Sequence, residues 1–267
     1  MNYCFENIMV DCPVYYYDVI DSTNTEAKRL AEKGVLNGAL GYETDKILVL
    51  ADAQTGGRGR RGRTWESPTG TSVYMSLLLR PEISPDRASM LTLVMGLSVV
   101  EGLEQELGVK TQIKWPNDVV LNKKKLVGIL TEMGMQGMEI DYLVIGVGMN
   151  VNVVDFPEEL VDKATSLLTE CGHLVEREKL ISAVMDAFDR NYQVFLKTQD
   201  LTGLRACYEQ VMANQNQPVR VLQPGNEYEG TAVGINAMGE LLVEKEDGTC
   251  EAVYAGEVSV RGLYSYV

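Results

Sequence analysis

Four short segments of this chain combine residue types and spacings suited to handling a small anion. The densest is Gly56 to Arg63, GGRGRRGR, which holds four of the 24 basic residues of a chain with 38 acidic ones. Glycines let backbone N–H groups come close to a ligand, and arginine forks grip planar anions such as carboxylate and phosphate. The run lacks the spacing of a Walker phosphate loop. It also leads into Thr64-Trp65 and a strand, where a dinucleotide fingerprint would lead into a helix. Taken alone it reads as an anion clamp, with an RGG-like nucleic-acid segment as the alternative.

The second segment is Lys114-Trp115-Pro116-Asn117-Asp118, followed by Lys125. A strand and hairpin would bring Lys114 and Lys125 to one pocket as point charges, and Asn117 and Asp118 offer oxygen to a hydroxyl or a metal-bound phosphate. Lys123 and Lys124 read as a solvated turn, whereas Lys125 opens the apolar run LVGIL and can be partly desolvated and aimed. The third segment, Gly146 to Asn152 (GVGMNVN), permits close backbone approach at a strand end or forms a turn. The fourth, Ser22-Thr23-Asn24, stands at a helix start, where capping and ligand binding are compatible.

The elements that must position these groups are legible from pattern. Thr23–Glu26 has the form of a capping box, opening a helix to about Lys33 that stops at Gly34. Lys46–Ala53 and Ser72–Arg80 read as strands flanking the Gly/Arg run, and Ser84-Pro85 opens a long apolar helix closed by Gly108. Lys110–Trp115 reads as a strand. Val119–Leu121 and Leu126–Glu132 form a hairpin about Asn122–Lys125, and Ile140–Val147 is a further strand. Residues 157–213 look helical, and beyond Gln217-Pro218 the spacing of turn signals predicts about five short strands in a small barrel.

Bulk composition narrows the function. The net charge of −14 and the pI near 4.6 argue against a general nucleic-acid binder. No stretch reaches the ~18 apolar residues of a membrane span, and the first twenty residues have neither the basic start nor the apolar core of a signal peptide. Five scattered cysteines without a Cys-x-x-Cys pair predict reduced thiols and a cytoplasmic setting. A single histidine, His173, leaves no basis for a multi-histidine metal site or a Ser-His-Asp triad.

Taken together, the segments resemble biotin protein ligases (biotin–[acetyl-CoA-carboxylase] ligases) along essentially the whole chain. The resemblance is carried by Ser22-Thr23-Asn24, Gln54 to Arg63, Lys114 to Asp118, Lys125 to Leu130 and Gly146 to Asn150. Ala164 to Leu167 and Gly256 to Arg261 add to it. It implies an α+β fold: a central mixed β-sheet flanked by helices, like class II aminoacyl-tRNA synthetases, with a small C-terminal SH3-like β-barrel. The expected division is 1–215 for the catalytic domain and 216–267 for the barrel. The implied activity joins biotin and ATP, with Mg²⁺ on the phosphates and no dedicated protein metal site, into biotinyl-5′-AMP. Biotin then passes to one lysine of a biotin carboxyl carrier domain.

By the same resemblance, Ser22, Thr23, Asn24, Gln54, Arg58, Gly59, Arg60, Trp65, Lys125, Gly146 and Gly148 line the biotin site. Arg63, Lys114, Asn117, Asp118, Asn150 and Arg261 face ATP and the adenylate, with Lys125, Arg60 and Lys114 catalytic. Glu257 and Arg261 would bring the barrel near the adenylate, and Arg61 has no assigned role. About twenty residues precede Ser22, too few for the DNA-binding domain of some relatives, so no DNA, no membrane and a monofunctional enzyme are expected. A homodimer through the central sheet is one implied arrangement. Two rival readings are a lipoate protein ligase of the same fold and a non-catalytic module that uses the arginine loop on RNA or an acidic partner.

Overall fold

The computed structural model describes residues 5, 7–37, 44–223, 225, 227–255 and 259–262. Its frame is a seven-stranded mixed sheet. The strands are β1 (Val14–Ile20), β2 (Lys46–Gln54), β3 (Ser72–Leu79), β4 (Gln112–Lys114), β5 (Asp118–Leu121), β6 (Lys124–Gln136) and β7 (Glu139–Asn150). Their order is β1-β2-β3-β7-β6-β5-β4; β1 and β2 run parallel and every other neighbour pair is antiparallel.

Both faces of the sheet are covered, so the central strands carry near-continuous apolar runs. In β2, Ile47 and Val49 pack with Ala27, Leu30 and Ala31 of helix α1 (Thr23–Glu32) on one face. Leu48 and Leu50 belong to the larger core on the other face, beneath α2 (Met90–Leu107) and, after a short helix α3 (Leu167–Cys171), α4 (Arg177–Thr198). The alternation is the period-2 pleat read twice. α2 is apolar around most of its circumference because it is sandwiched between the sheet and α4. Gly108 ends it in the left-handed conformation, at φ 68°.

A second antiparallel sheet follows α5 (Arg205–Gln210). It is built from β8 (Gln217–Leu222), β9 (Tyr228–Ile235), β10 (Leu241–Glu244), β11 (Cys250–Val253) and β12 (Ser259–Gly262), in the order β11-β10-β9-β8-β12. The five strands match expectation. The barrel does not close among the described residues, because β11 and β12 stand at opposite edges. Trp115, 1% exposed, joins the two sheets: its backbone N–H donates to Asn214 Oδ1 and its indole Nε1–H to the Gly239 carbonyl, each at 2.9 Å.

Other departures from the sequence reading have local causes. Strand β1 escaped it, because this edge strand has three consecutive half-buried tyrosines between exposed positions, with no buried position and no alternation. The capping box does not form: Ser22 is the cap position, without a side-chain cap bond, and Glu26 accepts from Tyr17 and Arg29. The turn between β5 and β6 is only Asn122-Lys123, both at positive φ, so Lys124 and Lys125 already belong to the strand. Lys124 is no free turn residue, since its ammonium donates to the Val161 carbonyl at 2.9 Å. The long apolar helix starts at Met90, after a 3-10 turn at Pro85–Arg87. Residues 157–166 are not helical, and the helical stretch after them is broken into three pieces. Cys12, Cys171, Cys207 and Cys250 carry free thiols, and Cys4 lies outside the described residues. Among the described residues no helix is long and apolar enough to cross a membrane.

Candidate active site

The N-terminus of α1, the end of β2, the Gly/Arg loop and strands β6 and β7 converge on one narrow pocket. It encloses about 460 Å³ of empty space, including the solvent at its mouth. Its floor is polar and buried: Ser22, Thr23 and Asn24 are each 4% exposed. Thr23 donates its backbone N–H to Gln54 Oε1 at 2.9 Å, and its hydroxyl reaches the same oxygen at 3.2 Å. Gln54 Nε2 donates to Ser67 Oγ at 2.9 Å, and Ser67 in turn donates to the Trp65 carbonyl at 3.0 Å. Ser76 on β3 donates its one hydroxyl proton to Asn24 Oδ1 at 2.6 Å, and its oxygen lies 2.8 Å from the Thr23 hydroxyl. Buried polar groups at a helix start thus satisfy one another.

The Gly/Arg run folds into a tight hairpin over this floor. Trp65 N–H donates to the Gly57 carbonyl and Gly59 N–H to the Arg63 carbonyl, at 3.0 and 2.7 Å. A side chain at Gly57 would sit 2.4 Å from the Trp65 carbonyl, so only glycine permits this crossing. Arg58 reaches back to Thr25 and Glu132 at 3.2 Å. Arg60 donates to Asn117 Oδ1 at 2.8 Å and to the Ala255 carbonyl, which ties the loop to the second sheet. Burial disfavours the Arg60 charge most, with repulsion from Arg61 and Arg63 added and the nearby Asp118 opposing.

Trp65 lies flat in the pocket. A Cβ on Gly148 would fall 2.6 Å from its indole, and one on Gly128 would fall 2.8 Å away. The small residues of GVGMNVN therefore serve as the bed of an aromatic ring, inside β7 and not in the turn that the sequence left open. The indole Nε1 is buried without a hydrogen-bond partner among the described residues.

Beyond Trp65 the pocket opens onto a broad cleft of about 2800 Å³, open solvent included, and here the cations gather. Lys114 stands opposite Asp118 in the β4–β5 register, and the Asp118 carboxylate holds Lys125 Nζ at 2.7 Å. Lys125 Nζ lies 5.3 Å from the Trp65 ring centre. Lys114 is 7% exposed. Burial, reinforced by repulsion from Lys125, Arg261 and Arg63 and opposed by Asp118, pulls its ammonium down to about 8. Lys125 is fixed by its backbone as well: its N–H donates to the Lys163 carbonyl, and its own carbonyl accepts from Thr165 N–H, at 2.7 and 3.0 Å. The Ala164-Thr165-Ser166 segment thereby gains a physical task. Asn150 donates to the Thr165 carbonyl at 3.2 Å.

The structure gathers the sequence-derived residues into two adjoining compartments. The narrow pocket holds Ser22, Thr23, Asn24, Gln54, Arg58, Gly59, Arg60, Trp65, Lys125, Gly146 and Gly148. The cleft holds Arg63, Lys114, Asn117, Asp118, Asn150 and Arg261, and also Arg61. Glu257 lies outside the described residues. Sequence reasoning missed Ser67, Ser76 and Glu132, and gave Gly128 no role beyond its place in the Lys125–Leu130 segment. The two serines carry no signal because they sit inside or beside apolar strands. Glu132 looked like a strand end, since nothing local announces that Asn24, Lys28 and Arg58 converge on it.

A model of the Biotin/lipoate A/B protein ligase family matches residues 16–150, just over half of the chain. The chain belongs to that family. Residues 216–261 of this biotin/lipoate ligase family member match a second model, the biotin protein ligase C-terminal domain. The bifunctional ligase/repressor BirA of Bacillus subtilis is 37% identical over 92% of this chain and 73% of its own length. The biotin–[acetyl-CoA-carboxylase] ligase of Paracoccus denitrificans is 32% identical over 91% and 98%. Among solved structures, the Aquifex aeolicus biotin protein ligase in complex with biotin and ATP superposes with a TM-score of 0.79. It is 31% identical, with 94% of this chain and 99% of that one covered.

Proposed function

We propose that this chain is an ATP-dependent biotin–[acetyl-CoA-carboxylase] ligase. It joins biotin and ATP into biotinyl-5′-AMP and passes biotin to one lysine of a biotin carboxyl carrier domain. One observation carries the reading: a narrow pocket with a hydrogen-bonding floor opens, at half-buried Lys125, directly onto a cleft lined by cations, with Lys114 buried and Arg63 and Arg261 exposed. The ureido ring of biotin has a carbonyl and two N–H groups, which suits a floor of hydroxyls and amides at Ser22, Thr23, Asn24 and Gln54. The dithiolane of lipoate can use none of these groups, and a floor left unpaired disfavours it. The Bacillus, Paracoccus and Aquifex relatives support the same substrate class.

The chemistry needs no side-chain nucleophile. Biotin's carboxylate oxygen attacks the α-phosphorus, the bond from that phosphorus to the bridging oxygen breaks, and pyrophosphate leaves with the electron pair. The protein must bring two anions together, which Lys125, at the junction, does by charge and position. Lys114, Arg63 and Arg261 hold the phosphates. Asn117 and Asn150 orient nucleotide and loop. Asp118, whose carboxylate holds Lys125 in the cleft, is the oxygen donor that would face a Mg²⁺ brought in with the nucleotide, where such an ion would add charge neutralisation. In the second half-reaction the acceptor's amine attacks the acyl carbon, the bond to AMP oxygen breaks, and the amine gives up its proton. The hairpin over the pocket excludes water from the mixed anhydride until then.

The biotin reading is tested by offering the purified chain ATP, a carrier domain and either labelled biotin or labelled lipoate. Transfer of biotin alone is expected, and preferential lipoate transfer contradicts the reading. Arg60 provides a second test because it fastens the hairpin to Asn117 and Ala255. In Arg60→Gly the adenylate should still form but escape. AMP released per biotin transferred should then rise about tenfold, the equivalent of ~1.4 kcal/mol of lost retention. A ratio unchanged from the unaltered chain contradicts that role.

A further inference from the structure

Glu132, on β6, is the meeting point of three side chains from two other elements. Its Oε2 accepts from Asn24 Nδ2 at 2.8 Å and from the Arg58 guanidinium at 3.2 Å, and its Oε1 accepts from Lys28 Nζ at 2.6 Å. Neither lysine nor arginine can serve as acceptor, so the carboxylate is the one group here that satisfies all three at once.

The consequence for Asn24 is directional. An asparagine amide presents a donor on one side and an acceptor on the other, and neighbours decide which way it faces. Asn24 Nδ2 meets two acceptors, Glu132 and the Leu130 carbonyl at 3.2 Å. Its Oδ1 is therefore turned to Ser76, whose hydroxyl approaches at 2.6 Å. A Cβ on Gly146 would lie 2.0 Å from that same oxygen, so β7 locks the amide plane from the other side. With the Ser76 proton directed to Asn24, the Thr23 hydroxyl is left to donate, and it reaches Gln54 Oε1. Glu132, together with the Leu130 carbonyl, thus sets the sense of the Asn24–Ser76–Thr23 bonds, while the Thr23 backbone N–H fixes the orientation of Gln54.

Arg58 gives the second consequence. Its contacts to Thr25 and Glu132 fasten the start of the hairpin to α1 and β6. Burial works against the charge of Glu132. The bonds from Lys28 and Asn24, with the charges of Lys28 and Arg58, outweigh it and hold the carboxyl below its ordinary value, so it stays ionised.

We propose that Glu132 is a positioning residue for biotin recognition: its carboxylate sets the donor–acceptor sense of the Asn24–Ser76–Thr23 floor and anchors the hairpin through Arg58. The inference rests on the biotin-binding reading above and adds to it a specificity determinant that touches no substrate.

Glu132→Gln keeps shape and volume but removes the charge and puts a donor where an acceptor stood. In biotin-dependent ATP–pyrophosphate exchange, the KM for biotin should rise about tenfold, the effect of ~1.4 kcal/mol. The KM for ATP and kcat should stay within about twofold. Arg58→Ala, which weakens biotin on its own, should add less than about twofold on the Glu132→Gln background, because the two changes remove one shared contact. Glu132→Asp, which keeps the charge but falls short of its partners, should shift the biotin KM in the same direction and guards against a variant that fails to fold. An unchanged biotin KM overturns the proposal. So does a loss confined to kcat or spread equally over both substrates, the pattern of a merely structural residue. If the unaltered chain shows no biotin-dependent exchange, the biotin reading itself fails and this inference falls with it. Normal exchange with indifferent Glu132 variants refutes the role of Glu132 alone.

Discussion

Lys125→Ala should lower the rate of biotinyl-5′-AMP formation by about 10²- to 10³-fold, the loss typical when one preorganised charge is removed from a developing anion. The geometry makes the side chain hard to replace. Its ammonium sits where the narrow pocket meets the cleft, 2.7 Å from Asp118 and beside the Trp65 ring. Its backbone is clamped on both sides by residues 163 and 165. Among the described residues, Arg60 alone also lines both compartments, and it is committed to Asn117 and Ala255. The fold should barely register the change. Lys125 is partly solvated, and an ion pair of that kind contributes at most ~1 kcal/mol, or about 2–4 °C in melting temperature for a chain of this size. Quenched single-turnover reactions, with melting measured in parallel, separate the two effects. Adenylate formation within a few-fold of the unaltered chain contradicts the assignment.

Lys114 should show its role through pH. Its ammonium is pulled down to about 8, by burial first and by the neighbouring cations second. In the chain without nucleotide it therefore loses its proton as pH rises through that value, while triphosphate binding favours the charged form. Affinity for ATP should fall as pH is raised above about 8, and binding near pH 8.5 should take up protons. The stability contribution runs the other way. Between about 8 and the ordinary 10.5 the unfolded chain holds this proton and the folded chain does not, so stability from this group rises with pH across that window. An α,β-methylene ATP analogue can be titrated calorimetrically into the biotin-loaded protein in two buffers of different ionisation enthalpy. Proton uptake should appear, and should vanish in Lys114→Gln along with about 10²-fold of the adenylation rate. Uptake that persists in the variant contradicts the role.

These charges were legible in the sequence because they come in dense, ordered motifs: GGRGRRGR, KWPND and the lysine opening LVGIL. Periodicity also gave the sheet's central strands and α2, where burial on both faces leaves long apolar runs. The rest was hidden for physical reasons. Edge strand β1 lacks an apolar face to advertise, and the Asn122-Lys123 turn is two residues long because both adopt positive φ. The pocket floor depends on contacts between residues far apart in sequence, Asn24 with Glu132 and Gln54 with Ser67. Gly128 and Gly148 make sense only once Trp65 is seen lying across them. A local pattern can reveal which residues carry charge, but not which carboxylate aims an amide 108 residues away.

On the proposed function, the polar pocket and the cationic cleft act as one adenylation site for biotin. Isotope exchange between pyrophosphate and ATP tests it most directly, since the exchange requires a reversible acyl-adenylate and nothing downstream. Exchange should be absent without biotin, appear when biotin is added, fail with lipoate and be lost in Lys125→Ala. Exchange independent of biotin, or none in its presence, would contradict it.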